Sequence, residues 1–220
     1  YRHLKLDFFK PPCYNIIEKK FGELMSINIP LTKGEAAIVS EEDKDLAQWS
    51  WRLCDSNRKR HGGHYTFYAK CWVNLAQAEV SPYKHGQTKR LHRVIMERKF
   101  GRALTRKEHT DHINGNGLDN RRENLRLVSN SQNSMNSRKP KAREGSSYGK
   151  LSKYKGVSRY RDKNGKLGGY YAHIRHNGKL TYIRGCESEE EAAKVYDAKA
   201  IELHGEYACL NFPERYEEYM

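Results

Sequence analysis

An aspartate and a histidine stand side by side at Asp111-His112, and asparagines follow at Asn124 and Asn133. The aspartate can hold a hard cation, the imidazole can take a proton near neutral pH, and the two amides can orient or ligate. Hydrolysis of a phosphodiester needs such a set: a base for water, a cation for the developing charge, and help for the leaving oxygen. One carboxylate and one amide oxygen suit Mg²⁺, which keeps its waters and borrows phosphate oxygens, with Mn²⁺ a workable substitute. Zinc would want more nitrogen and sulfur. A single Asx residue usually only builds a turn; this ordered set asks for more than that.

The elements that must position these groups are legible around them. Asn114, Gly115, Asn116, Gly117, Asp119 and Asn120 make a polar turn of residues that tolerate left-handed backbone. Leu125-Arg126-Leu127-Val128 alternates as a strand, and Ser129 is a natural N-cap for a helix carrying Asn130, Asn133 and Ser137, with Asn133 and Ser137 on one face. On a regular strand His109 shares the face of Asp111 while His112 points away from both. His92, on the helix expected over Leu91–Phe100 and stopped by Gly101, precedes the motif and could approach a metal or a phosphate, although a lone helical histidine is usually structural.

Strand, turn, strand and helix over Asp111–Asn136 resemble the HNH nuclease motif, of the ββα-metal type found in phage and intron homing endonucleases. The resemblance implies that His112 is the general base and Asp111 the first metal ligand. It makes Asn124 the central asparagine that holds loop and base, and puts Asn133 at the second ligand position. It also implies a nuclease domain over 31–137, with a ββα-metal core near 105–137.

Before the core, residues 1–30 read as an extension without assigned chemistry, with a possible short helix over Glu18–Leu24. Ala37 and Val39 mark an alternating run, Glu41–Trp49 a short helix, and Trp51 and Leu53 a strand. A basic turn over Asn57–His64 leads to a β-rich partner from Tyr65 to Val73, and Asn74–Lys89 reads as a polar loop. Trp49, Trp51 and Trp72 read as packing groups. Residues 138–153 read as a basic linker, six lysines and arginines against Glu144 alone, broken by Pro140, Gly145 and Gly149.

The last third carries a second pattern. Tyr154–Tyr160, Tyr170–His176 and Leu180–Arg184 alternate as three strands, joined by turns at Asp162–Gly165 and Asn177-Gly178. Ser188-Glu189-Glu190-Glu191 starts a helix with Ala192, Ala193, Tyr196, Ala200 and Leu203 on one side and Gly205 at its end. Three antiparallel strands backed by one helix hide one sheet face and leave the other free. Residues 154–214 resemble the AP2 DNA-binding domain, in which the free face enters the major groove. By that resemblance Lys155, Ser158, His173, Arg175 and Tyr182 match contact positions, with Arg159, Tyr160 and Arg184 nearby. Tyr170 and Arg184-Gly185-Cys186 depart from the family pattern. The fold class expected is therefore α+β in separate units.

Composition points to the same partner. Over 220 residues, 41 Lys and Arg against 27 Asp and Glu give a formal charge of +14, which favours a polyanion, double-stranded DNA first. A mean hydropathy of −0.97 together with 15 tyrosines describes a folded basic chain rather than a disordered tail. No apolar run approaches the roughly 20 residues of a membrane span. Five scattered cysteines without a Cys-x-x-Cys pair argue against zinc ribbons and disulfides, which suits a reducing, cytoplasmic setting in a bacterial or phage-infected cell. One such site per chain implies nicking of one strand by a monomer, unless the protein dimerises. The rival reading is a DNA-binding regulator with an inactive nuclease fold; Asp111, His112 and Asn124 speak against it.

Overall fold

Ile27 and Ile29 alternate with polar neighbours, as do Ala37 and Val39, so the two segments pair with one face buried. Strands β1 (Ser26–Pro30) and β2 (Ala36–Ser40) form this antiparallel hairpin, with Ile29, Ala37 and Val39 fully buried. The computed structural model describes residues 26–55, 66–137, 152–161 and 164–219. The expected helix over Glu18–Leu24, the turn over Asn57–His64 and most of the 138–153 linker lie outside the described residues. The last five residues of the expected extension form β1.

The helix expected over Glu41–Trp49 is a 3-10 segment, Glu41–Gln48, whose Asp43 and Leu46 are buried. A three-stranded antiparallel sheet follows, β3 (Trp51–Asp55), β4 (Phe67–Trp72) and β5 (Thr88–Arg90), in the order β3-β4-β5. The stretch Asn74–Lys89 is thus not all loop. Asn74 caps a short helix, α1 (Leu75–Glu79), through a reciprocal box with Gln77, and Thr88 and Lys89 pair with β4. Local polarity hid both, because the helix exposes most of its surface and the strand is an edge. Helix α2 (Leu91–Phe100) buries Leu91, Val94, Ile95 and Met96 and ends on left-handed Gly101, as the sequence indicates. Trp49 stacks on Trp51, and both join this core; Trp72, expected to be packing, is 63% exposed instead.

The two-stranded sheet of β6 (His109–His112) and β7 (Leu125–Val128) comes next, then helix α3 (Asn130–Asn136) with Ser129 as cap in a box with Gln132. Buried Asp43 meets Arg122 at 2.7 and 3.0 Å, and the Arg122 backbone N–H donates to the Ser40 hydroxyl oxygen. Arg98 of α2 pairs with Asp45 at 2.7 Å. These pairs clamp the 3-10 segment to α2 and to the entry of β7.

The C-terminal unit consists of β8 (Val157–Arg161), β9 (Leu167–His176), β10 (Lys179–Cys186) and helix α4 (Glu189–His204), with sheet order β10-β9-β8. Ala172 and Ile174 of β9 meet Tyr196 and Ala200 of α4. Gly156 is required where this packing is tightest: its φ is +68°, and an added Cβ would lie 2.0 Å from the Tyr196 ring. Ser188 caps α4 by accepting from Glu191 N–H, and the Glu191 carboxylate accepts from Glu187 N–H rather than from the Ser188 N–H that a reciprocal capping box would use. Buried Asp197 is satisfied by Asn211 and Phe212 backbone N–H groups, and Asn211 in turn bonds the Lys155 backbone in both directions. Architecture is mixed α/β in small sheets, each with a helical partner.

Candidate active site

Regular strand geometry sends neighbours to opposite faces, and β6 obeys it. Asp111 lies opposite Arg126 of β7 and looks toward α3; His112 lies opposite Leu125 and looks toward β4 and α2. His109 lies opposite Val128, on the Asp111 face and two residues short of it.

The loop from Ile113 to Asn124 is stapled in three ways. Ile38 and Asn120 exchange backbone bonds with the loop's far side, Ile38 N–H to Leu118 O at 2.8 Å and Asn120 N–H to Ile38 O at 2.7 Å. Asp119 accepts from Arg121 at 2.8 and 2.7 Å and from Asn114 at 2.8 Å. Asn124, buried, accepts from Asn114 N–H and donates to Asn114 Oδ1 and to Asp119 O. Asn124 therefore holds the loop. The imidazole is held by another asparagine: Asn120 Oδ1 is 3.2 Å from His112 Nε2.

That contact selects a tautomer. Asn120 gives its amide N–H to Leu118 O at 3.0 Å, so its oxygen is the group facing the ring, and His112 must carry its proton on Nε2. Nδ1 is left with a bare lone pair, the form a general base needs. Burial pushes the His112 pKa below its ordinary value, against the opposing pull of Asn120 and of the Asp111 and Asp119 charges, so the ring is neutral at pH 7.

Two rings support it from behind. Tyr68 of β4 lies 5.8 Å from His112, and His92 meets His112 edge to face at 5.1 Å. Gly117 presses on this wall: an added Cβ would come 2.3 Å from Phe67 O and 2.7 Å from the Tyr68 ring. Gly117→Ala is expected to cost about 1–3 kcal/mol and to slow any His112-dependent reaction about 100-fold by moving the base. Urea denaturation and initial rates measure the two. His92 is pushed well below pH 6.5, first by burial and then by His112. Below pH 6.5 the unfolded chain takes up a proton that the folded ring refuses, so stability falls with falling pH, by about 1.4 kcal/mol per unit for such a histidine. Urea midpoints at pH 7.5 and 5.5 should show this, and His92→Gln should flatten the slope.

On the other face, Asp111 is buried and engaged. Arg126 reaches its Oδ2 at 2.9 and 3.0 Å, and Asn136 Nδ2 lies 3.0 and 2.9 Å from its two oxygens and 3.1 Å from His112 O. Asn133 is half-buried one turn earlier on α3, with its backbone N–H on Ser129 O. The structure brings Asn136, three residues beyond, into contact with the carboxylate. Arg126 also donates to Glu206 O at 2.9 Å and covers the Tyr207 ring at 4.5 Å, while Lys155 Nζ donates to Met135 O at 2.5 Å. These contacts seat the C-terminal unit on the Asp111 side of the site. Arg126, Asn120 and Asn136 are the residues that sequence reasoning passed over. The first had a signal in its opposite charge across the hairpin from Asp111.

The donor set fits a hard divalent ion. Among the described residues Asp111 Oδ1 faces one hydrogen-bond donor, Asn136, and rotating the Asn136 amide would present its oxygen; Asn133 lies on the same helix side. Among the described residues no three His, Cys, Asp or Glu side chains converge, so an ion here would rest on Asp111, amide oxygens and water.

On the C-terminal sheet, Tyr160, Tyr171, His173 and Tyr182 form a ring cluster on the face away from α4, with centroids 5.0–6.5 Å apart. Ser158 lies opposite Tyr171, Arg184 covers Tyr160 at 5.8 Å, and exposed Arg175 points the same way as His173. Two expected contact residues are placed elsewhere. Arg159 lies opposite Tyr170, over that ring at 4.9 Å on the helix side, and Lys155 is turned to α3.

Residues 89–135 match the HNH endonuclease family model, a stretch that contains α2, both site strands and most of α3. An uncharacterized HNH endonuclease of Acanthamoeba polyphaga mimivirus is 33% identical over 121 residues, 55% of this chain and 56% of that protein. The chain thus spans about half the length of this curated relative. No solved structure matches it.

Proposed function

We propose that the chain is a site-specific, metal-dependent DNA endonuclease of the homing or phage HNH type. The observation that carries this reading is the site itself: a neutral, tautomer-fixed His112 beside a buried carboxylate, inside the segment that matches the HNH endonuclease family. In this reading His112 Nδ1 takes the proton of the attacking water, and Asn120 and Tyr68 keep its ring aimed. Asp111, with Asn133 or Asn136, would hold Mg²⁺, or Mn²⁺ in its place. The ion would supply charge neutralisation at the phosphate and at the leaving 3′ oxygen. Hydrolysis in this sense leaves 5′-phosphate ends.

The C-terminal unit is read as an AP2-like module that holds the duplex through the major groove. Tyr160, His173, Arg175, Tyr182 and Arg184 share its free face, where arginines can take guanine edges or phosphates. The hairpin and helix around Asp111 are read as the ββα-metal core. One site per chain makes nicking by a monomer the expected outcome.

Cleavage of a supercoiled plasmid library with Mg²⁺, then with chelator, tests the proposal, with sequencing of the ends. Recurrent nicks that need the ion and carry 5′ phosphates support it. Tight duplex binding without a cut across several divalent ions would favour a regulator, a reading to which the Arg126-engaged Asp111 lends support.

A further inference from the structure

The β3–β4–β5 sheet hides one face and shows the other. Trp51, Ala69 and Cys71 turn into the core, so the alternate residues turn outward. Arg52 lies directly opposite Lys70, and Lys70 directly opposite Arg90, a row of three cations across three strands. Like charges in register across strands oppose folding. Among the described residues no carboxylate forms an ion pair with any of the three. Arg52 and Arg90 are exposed, and Trp72, on the same face one residue pair beyond, is 63% exposed. A fold that carries this repulsion without a paired carboxylate among its described residues, and an exposed indole beside it, holds a surface made for a polyanion.

The position of the row says which polyanion. Tyr68 lies two residues before Lys70 on β4, facing the same way, with the Arg90 guanidinium 5.4 Å from its ring. The same tyrosine ring backs His112 at 5.8 Å. The row therefore runs out from the wall of the candidate active site, on the side away from the Arg126 contacts with the C-terminal unit.

We propose that Arg52, Lys70 and Arg90, with Trp72 beside them, form a second nucleic-acid contact surface that grips the sugar-phosphate backbone of the duplex flanking the cut. The identity of the polyanion rests on the nuclease reading; the surface itself rests on the register. The chain then holds its substrate on two sides of the scissile phosphate, through this row and through the C-terminal sheet.

The test uses the full chain carrying His112→Ala, which removes cleavage during titration. Duplex binding is followed by fluorescence anisotropy between 50 and 200 mM KCl for three proteins. These are the parent, the Arg52→Gln/Lys70→Gln/Arg90→Gln variant, and a charge-matched control, Lys84→Gln/Lys194→Gln/Lys199→Gln. Each lost phosphate contact lowers the slope of log affinity against log salt by about 0.9. The row variant should therefore lose about 2.7 in slope, roughly 40-fold less salt sensitivity over that range, and Lys70→Gln alone about 0.9. The control should keep the parent slope. Relief of the repulsion should hold or raise the urea midpoint of the row variant, which separates lost contacts from lost folding. A row variant with the slope of the control overturns the surface. If the wild type cleaves and the slope is unchanged, the surface fails and the nuclease reading stands; if it never cleaves and the slope falls, the reverse holds.

Discussion

His112→Ala is expected to lower the single-turnover cleavage rate by about two to four orders of magnitude, the usual worth of a positioned general base. The argument is one of substitution. Among the described residues no other base stands ready: His92 lies 5.1 Å away, but it meets His112 edge to face and is walled in by Tyr68. His109 is on the opposite face of β6. Water alone would have to lose its proton at the phosphate. Asn120→Ala should cost less, about tenfold, because it frees the tautomer without removing the base. His112→Gln can keep a bond to Asn120 but cannot accept the proton, so it should fall as far as alanine. Rapid-quench measurement at saturating protein isolates the step. A rate within threefold of wild type for His112→Ala would remove His112 from the chemistry and return attention to His92.

The site's skeleton was legible because its signals are local. Ser129 announces α3, Gly101 ends α2, and the Leu125–Val128 alternation marks β7 without help from tertiary structure. His112 and Asp111 could even be assigned to opposite faces from strand parity alone. What sequence could not reach was the division of labour among asparagines. Asn114, Asn116, Asn120 and Asn124 look alike in a turn, and which one meets the imidazole depends on how the loop docks on β2. Asn136 and Asn133 share one helix side, and only the crossing of α3 over β6 decides which reaches Asp111. Arg159 was placed with the free face by its neighbourhood, but the register puts it opposite Tyr170. Alternation along β8 puts Tyr160 on the free face with Ser158. A one-residue slip flips a side chain across a sheet, and composition carries no trace of it.

Arg126→Met is expected to lower the unfolding free energy by about 3–5 kcal/mol, the range seen when one partner of a buried ion pair is removed. Both partners are shielded here, with side chains 13% and 9% exposed, so among the described residues Asp111 would be left as a buried carboxylate bonded to Asn136 alone. The same substitution takes away the bond to Glu206 O and the cover over Tyr207, so the C-terminal unit loses part of its seat on β7 and α3. A double-mutant cycle with Asp111→Asn separates the two losses: the carboxylate part vanishes when Asp111 is neutral, and the seating part does not. Divalent ion offers a second reading of the same site. If Asp111 is a metal ligand, the guanidinium and the ion compete for one carboxylate, and Mg²⁺ should raise the urea midpoint of Arg126→Met more than that of wild type. Equal shifts would mean that the carboxylate serves Arg126 and the fold alone. That outcome would leave His112 its proton and take the ion from Asp111.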